Sequence, residues 1–223
     1  MSGATANLLS DPAGTAPEPA APWRVVGLPK QTLPLTRYRV IDADGGRAIE
    51  IDAQASYGNL VHEWPAPISA RRLSWRWRIE HDNPLADIQH KPGDDHAVAV
   101  CALFDMPLAA IPLWERQMLR LARALSGEAL PSATLCYTWD PRQRADTALA
   151  SPYTRRVRWL VLRGQGDALH AWQREQRDLR ADFERLFGDE TRSLPPLTAV
   201  LVAADADNTQ GRSLAWVADL ALE

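Results

Sequence analysis

From Trp23 onward, apolar and polar positions alternate over short segments separated by turn residues, the period-two signature of half-buried β-strands. Residues 71–80 carry it most clearly. Leu73, Trp75, Trp77 and Ile79 fall on one face, and Arg72, Ser74, Arg76, Arg78 and Glu80 on the other. Residues 37–41 and 47–52 flank Asp44-Gly45-Gly46, which predicts a hairpin because glycine supplies positive φ. Residues 58–64 form a further strand closed by Pro65 and Pro67. Residues 97–104 are apolar on both faces and predict a central strand covered on each side. Residues 133–139, 155–163, 197–204 and 213–222 add four strands, and 169–172 a short edge.

Two stretches break this rhythm. In residues 111–125, Trp114, Met118, Leu121 and Leu125 are spaced by four, three and four, with Gly127 placed to end an amphipathic helix. In residues 178–187, Leu179, Phe183, Leu186 and Phe187 make the apolar stripe, Asp178 can cap the start and Gly188 the end. Both helices are expected to cover the ends or an edge of a sandwich, docking of a partner being the alternative. Residues 1–22 hold Pro12, Pro17, Pro19 and Pro22 and no aromatic, and read as a disordered tail or linker. The fold expected is all-β dominated: an antiparallel jelly-roll-type β-sandwich of about ten strands with two peripheral amphipathic helices, formed by residues 23–223 as a single domain.

Composition narrows the class. With 46% hydrophobic and 24% charged residues in 223, the chain has the makeup of a globular domain rather than a disordered or fibrous one. A net charge of -3 gives no long-range attraction to phosphate and argues against a nucleic-acid partner. No run approaches 18 apolar residues, so no membrane span is expected, and the start lacks the basic and apolar regions of a signal peptide. Cys101 and Cys136, both in strands, read as two buried thiols.

Candidate chemistry gathers in three places. His81, Asp82, Asp87, His90, Asp94, Asp95 and His96 crowd the loop between two core strands, where imidazole and carboxylate together suit a metal or acid-base work, although a solvated turn-rich loop explains the same residues. Asp95 stands at the mouth of a buried strand, where a carboxylate is costly unless hydrogen-bonded or bound to a cation. Asp205, Asp207 and Asn208 follow the strand at 197–204, and such crowded oxygens suit a structural Ca²⁺ or, equally, an Asx-type turn. Asp95, Asp205 and Asp207 are expected to approach one another at one rim. Nine tryptophans against three phenylalanines supply core volume or flat ligand platforms, and Trp139 and Tyr153 are the residues expected at the surface.

The segments LSWRWRI, GDDHAVAVCALFD, LCYTWD, SPYTRRVRWLVLRG, AADADNT and AWVADLALE, in this order from about Trp23 to the end, resemble a bacterial family of unknown function, number three-zero-four-seven among the domains of unknown function. The resemblance implies an exported or periplasmic protein with a galactose-binding-like or other carbohydrate-binding jelly roll. It directs attention to Trp75, Trp77, Asp94, Asp95, Tyr137, Trp139, Tyr153, Arg155, Asp205, Asp207, Asn208 and Thr209. No nucleophile elbow, phosphate loop or His-Glu-x-x-His motif is present. The reading is therefore a non-catalytic protein that binds a small molecule or glycan through Trp139, Tyr153, Tyr137, Arg155, Asp94 and Asp95. The alternative is a glycoside or ester hydrolase, metal-assisted or not, working through the loop carboxylates and histidines.

Overall fold

The computed structural model describes residues 7–126 and 129–223. Gly127, expected to end the first helix, lies outside the described residues, as do residues 1–6. The chain forms β1 (Arg24–Val26), β2 (Arg37–Ala43), β3 (Gly46–Gln54), β4 (Tyr57–Ile68), β5 (Arg72–His81), β6 (His96–Phe104), α1 (Leu113–Ser126), β7 (Ala133–Trp139), β8 (Ala148–Ala150), β9 (Val157–Arg163), β10 (Gln173–Asp178), α2 (Leu179–Phe187), β11 (Leu197–Asp205) and β12 (Arg212–Leu222). Two sheets, ordered β1-β4-β11-β6-β7-β9-β8 and β10-β5-β12-β3-β2, make a jelly-roll-type sandwich. Every ladder is antiparallel except β7 with β9, which the long excursion through β8 returns in parallel. No described helix is long and apolar enough to cross a membrane.

Alternation dictates the layers. Leu73, Trp75, Trp77 and Ile79 of β5 are buried in the core between the sheets, together with Val98, Val100, Leu135, Tyr137, Trp139, Val200 and Val202. The apolar strand β6 sits between β11 and β7 and is covered on its outer face as well, where Ala99, Cys101, Cys136, Trp159, Val161 and Ala203 form a second cluster under Ile88. Cys101 and Cys136 face each other directly across the β6–β7 ladder and are joined as a disulfide. The pair read as separate thiols is thus corrected: the strand register brings together cysteines whose sequence separation of 35 gave no sign of pairing. At the β2–β3 hairpin, Asp44 and Gly45 take φ values of 46° and 83°, the doubly positive turn that matches the twist of the strands.

The edge strand expected at 169–172 forms later, at Gln173–Asp178. Residues 7–22, expected as a disordered tail, instead lie along the sandwich. Leu8 N–H bonds the Leu222 carbonyl at 2.8 Å, Trp23 Nε1 donates to the Ser10 carbonyl at 2.8 Å, Val40 N–H to the Pro17 carbonyl at 2.7 Å, and Leu9 and Ala13 enter the core. Proline prevents a helix or a ladder here but not a strap held through carbonyl acceptors.

The two helices dock in opposite ways. In α2, Leu179, Phe183, Leu186 and Phe187 are buried and the Asp178 side chain accepts from the Arg180 and Ala181 amides, as the pattern predicts. In α1 the apolar stripe is turned to solvent, and Leu119 is the buried residue. Charge explains the reversal. Arg156 and Arg158 are almost fully buried at the end of the β7–β9 pair and need carboxylates. Glu190 bonds both, and Glu115 of α1 is drawn in to Arg156 at 2.5 Å and Arg155 at 3.1 Å. Arg116 and Arg123 then bond the carbonyls of Ile111 and Leu130, so the polar side of α1 faces the protein.

Candidate functional site

At one rim, β6 begins where β11 ends, and the β5–β6 loop meets the turn between β11 and β12. Asp95 is fully buried there. Its Oδ1 accepts from the Asn208 amide at 3.0 Å, and its Oδ2 from the Thr209 amide at 2.8 Å and the Thr209 hydroxyl at 2.5 Å. Asp205, paired with His96 in the ladder, accepts the His96 amide at 2.8 Å. One carboxylate oxygen from each of Asp95, Asp205 and Asp207 falls within 4.8 Å of the others. The expected approach of these three residues is therefore present in the geometry.

Asp95 is well supplied with donors and Asp205 has the His96 amide, but one oxygen on each of two neighbours has none. Asp94 Oδ1 and Asp207 Oδ1 are buried and accept no hydrogen bond. His96, buried against the Trp159 ring, keeps Nδ1 only 2.8 Å from Asp205 Oδ1, an ion-pair contact off the direction of the ring N–H, and Nε2 has no partner. The electrostatics follow. Burial, aided by the charges of Asp205 and Asp95 and opposed by His96, pushes Asp94 up to about 7. Burial with Asp205 and Asp95 raises Asp207 to about 6. For His96, burial pulls downward, but the Asp205 carboxylate outweighs it and the imidazole is held above its ordinary value. Crowded acidic oxygens short of donors favour a bound cation or retained protons.

Tyr153 stands beside this cluster, 57% exposed as expected. Its hydroxyl donates to Asn208 Oδ1 at 3.1 Å, and Lys91 Nζ lies 5.1 Å from its ring centre. Asn208 therefore acts as a brace: its Nδ2 donates to the Asp94 carbonyl at 3.1 Å while its oxygen receives Tyr153.

Other expected site residues lie elsewhere. Trp139 and Tyr137, expected within reach of a ligand, are 1% and 0% exposed, because the inner face of β7 lies wholly within the core, against Trp77 and Trp75. That expectation is corrected. Arg155 is tied to Glu115 and, at 3.2 Å, to Asp189. His90 pairs with Asp87 at 3.0 Å in the exposed part of the loop. The sequence reading missed Tyr57, which borders the cluster because β4 pairs it with Asp205; burial, and then the charges of Asp205, Asp207 and Asp94 against an Asn59 hydrogen bond, lift it to about 12. Trp172 and Trp216, counted among the tryptophans that are core volume or platform but not singled out for the surface, lie on the outer face of the five-stranded sheet, with Arg76 over one ring and Arg78 over the other. Strand register places Tyr57 at the cluster, whereas alternation with the buried Ala215 and Val217 already turns Trp216 outward.

A family model described as "Protein of unknown function (DUF3047)" matches residues 21–221. The chain belongs to the DUF3047 family. Among curated proteins, none matches it. Solved structures similar to this DUF3047 chain include the family 11 carbohydrate-binding module of Clostridium thermocellum in complex with a β-1,3-1,4-mixed-linked tetrasaccharide, at 8% identity and TM-score 0.47, covering 97% of this chain and 94% of that one. The xyloglucanase domain of NopAA from Sinorhizobium fredii, in complex with cellobiose, aligns at 8% identity and TM-score 0.41, covering 91% and 98%. The family GH12 endoglucanase 3 of Trichoderma harzianum aligns at 8% and 0.41, covering 92% and 100%.

Proposed function

We propose that this DUF3047 protein is a non-catalytic ligand-binding sandwich that holds a divalent cation, Ca²⁺ by the chemistry of its donors, at the rim and presents it beside Tyr153 to a carbohydrate or other polyhydroxyl component of the cell envelope. One observation carries the reading: oxygens of Asp95, Asp205 and Asp207 gather within 4.8 Å, while Asp94 Oδ1 and Asp207 Oδ1 lack any donor. Carboxylate-only crowding of this kind matches the all-oxygen preference of Ca²⁺ rather than the nitrogen and sulfur preference of zinc. Asp95 and Asp205 are locked by backbone donors and would form the rigid side of the site; Asp94 and Asp207 would complete it. Tyr153 supplies a flat exposed ring on which a sugar can stack, and its hydroxyl is pinned to the same loop. The Cys101–Cys136 disulfide supports residence in an oxidising compartment.

The test is thermal unfolding with Ca²⁺ and with EDTA, followed by a glycan array in both conditions. A ligand that binds only the folded state must raise the melting temperature. The reading requires stabilisation by Ca²⁺ that Asp207→Asn removes, and array hits that are lost in EDTA and in Tyr153→Ala. A melting temperature indifferent to Ca²⁺ and EDTA removes the cation. A silent array together with glycoside or ester turnover abolished in Asp207→Asn replaces binding by hydrolysis.

A further inference from the structure

We infer that the outward face of α1 is a self-association surface on which two copies of this chain pack through antiparallel copies of the helix. The face is strongly apolar. Trp114 is 75% exposed and Leu125 77%, with Leu113, Met118 and Leu121 exposed beside them. Soluble proteins rarely leave a contiguous stripe of this kind to water.

Spacing and borders specify the occupant. Trp114, Met118, Leu121 and Leu125 recur at four, three and four residues, the seam spacing by which one α-helix meets another. The residues bordering the seam, Gln117, Ala122 and Ala124, are neutral and two of them are small, so a second helix approaches without burying a charge. A helix that lies in a lipid surface also carries basic residues on its polar face, but leaves them free to reach the headgroups. Here Arg116, Arg120 and Arg123, spaced four and three, lie away from the seam, and Arg116 and Arg123 are bound to carbonyls of the protein itself. The area is adequate. The five side chains present on the order of 600 Å² per copy, so a twofold contact that covers them fully buries up to about 1,200 Å², the lower end of a specific interface. With the twofold axis lying across the helices, the proposed isologous pair is antiparallel and sets Trp114 against Leu125 of the partner subunit and Met118 against Leu121 of the partner subunit.

Firm anchoring favours a rigid contact. The Glu115 pairs to Arg155 and Arg156 hold α1 on the body, so the seam is displayed before a partner arrives.

The experiment is sedimentation velocity and light scattering of the full chain over a wide concentration range, with the double variant Leu121→Glu, Leu125→Glu beside it. Both positions are solvent-exposed, so the variant is expected to keep the parent's melting temperature and circular dichroism. The expected result is a dimer whose dissociation constant rises at least roughly tenfold in the variant. A monomer at every concentration overturns the proposal, as does a dimer unaffected by the variant. Flotation with phosphatidylserine-containing vesicles is the third arm. Vesicle binding by a monomeric parent, lost in the variant, reassigns the face to lipid and also overturns it.

Discussion

The Tyr137 hydroxyl donates a 2.8 Å hydrogen bond to Asp182 Oδ2, joining the floor of the core to α2. Asp182 in turn receives Arg177 at 2.7 and 2.9 Å through both oxygens. Burial, reinforced by the Asp182 charge, raises the phenol well above its usual range, so the hydroxyl stays protonated and donating. Tyr137→Phe is expected to cost about 1 kcal/mol, because Asp182 keeps Arg177 as partner. Asp182→Ala is expected to cost more, about 2–3 kcal/mol, since it strands the guanidinium and the phenol together. Urea unfolding of both variants measures the difference, and ligand binding should be unchanged in Tyr137→Phe.

Asp95 and Asp207 sit in one cluster but should respond oppositely to neutralisation. Asp95→Ala removes the acceptor for two amides and a hydroxyl of the β11–β12 turn and is expected to destabilise by about 3 kcal/mol in EDTA, and by more with Ca²⁺ present because a ligand of the proposed cation is lost as well. Asp207→Asn removes a carboxylate crowded by Asp205 and Asp95. In EDTA it is expected to stabilise slightly, by less than about 1 kcal/mol given its half-exposed position. Melting curves of the two variants in EDTA decide it: a loss of stability in Asp207→Asn contradicts the crowding.

Reduction of the Cys101–Cys136 bridge should be felt throughout the seven-stranded sheet. It closes a loop across a sequence separation of 35, which corresponds to about 3–4 kcal/mol of denatured-state entropy. The Cys101→Ser, Cys136→Ser double variant should therefore unfold at markedly lower denaturant with the same native circular dichroism. A midpoint equal to that of the parent would show that the bridge contributes nothing.

Acid sensitivity should reside partly at the start of α2. The amides of Ala181 and Arg180, with Arg71 at 3.1 Å, hold Asp178 below its ordinary carboxylate value. A depressed folded-state value means that the contribution is complete above the unfolded value near pH 4 and is lost as pH falls through the folded one. Asp178→Ala is expected to cost about 1 kcal/mol at neutral pH, with the difference from the parent shrinking as the medium is acidified. Chemical unfolding from neutral pH down to pH 2–3 checks both the size and the direction.

The long strands, the Asp44-Gly45 hairpin and α2 were legible in the chain because each rests on local rules: side chains alternate with period two, glycine admits positive φ, and a carboxylate caps the amides just after it. The short strands β1, β8 and β10 were not. The rim cluster was legible in part, since Asp95 and Asp205 stand at the ends of apolar strands where an unpaired charge is expensive. Pairing of strands distant in sequence decided the rest. The β6–β7 register, not the spacing of 35, joined Cys101 to Cys136, and the β4–β11 register brought Tyr57 to the carboxylates. Trp139 near a strand end looked accessible, but accessibility depends on what the opposite sheet lays over it, and Trp77 does so. The same holds for α1. Its amphipathic period was plain, yet which face met the protein was settled by the buried guanidinium of Arg156, whose need for Glu115 turned the polar side inward and left Trp114 and Leu125 to solvent.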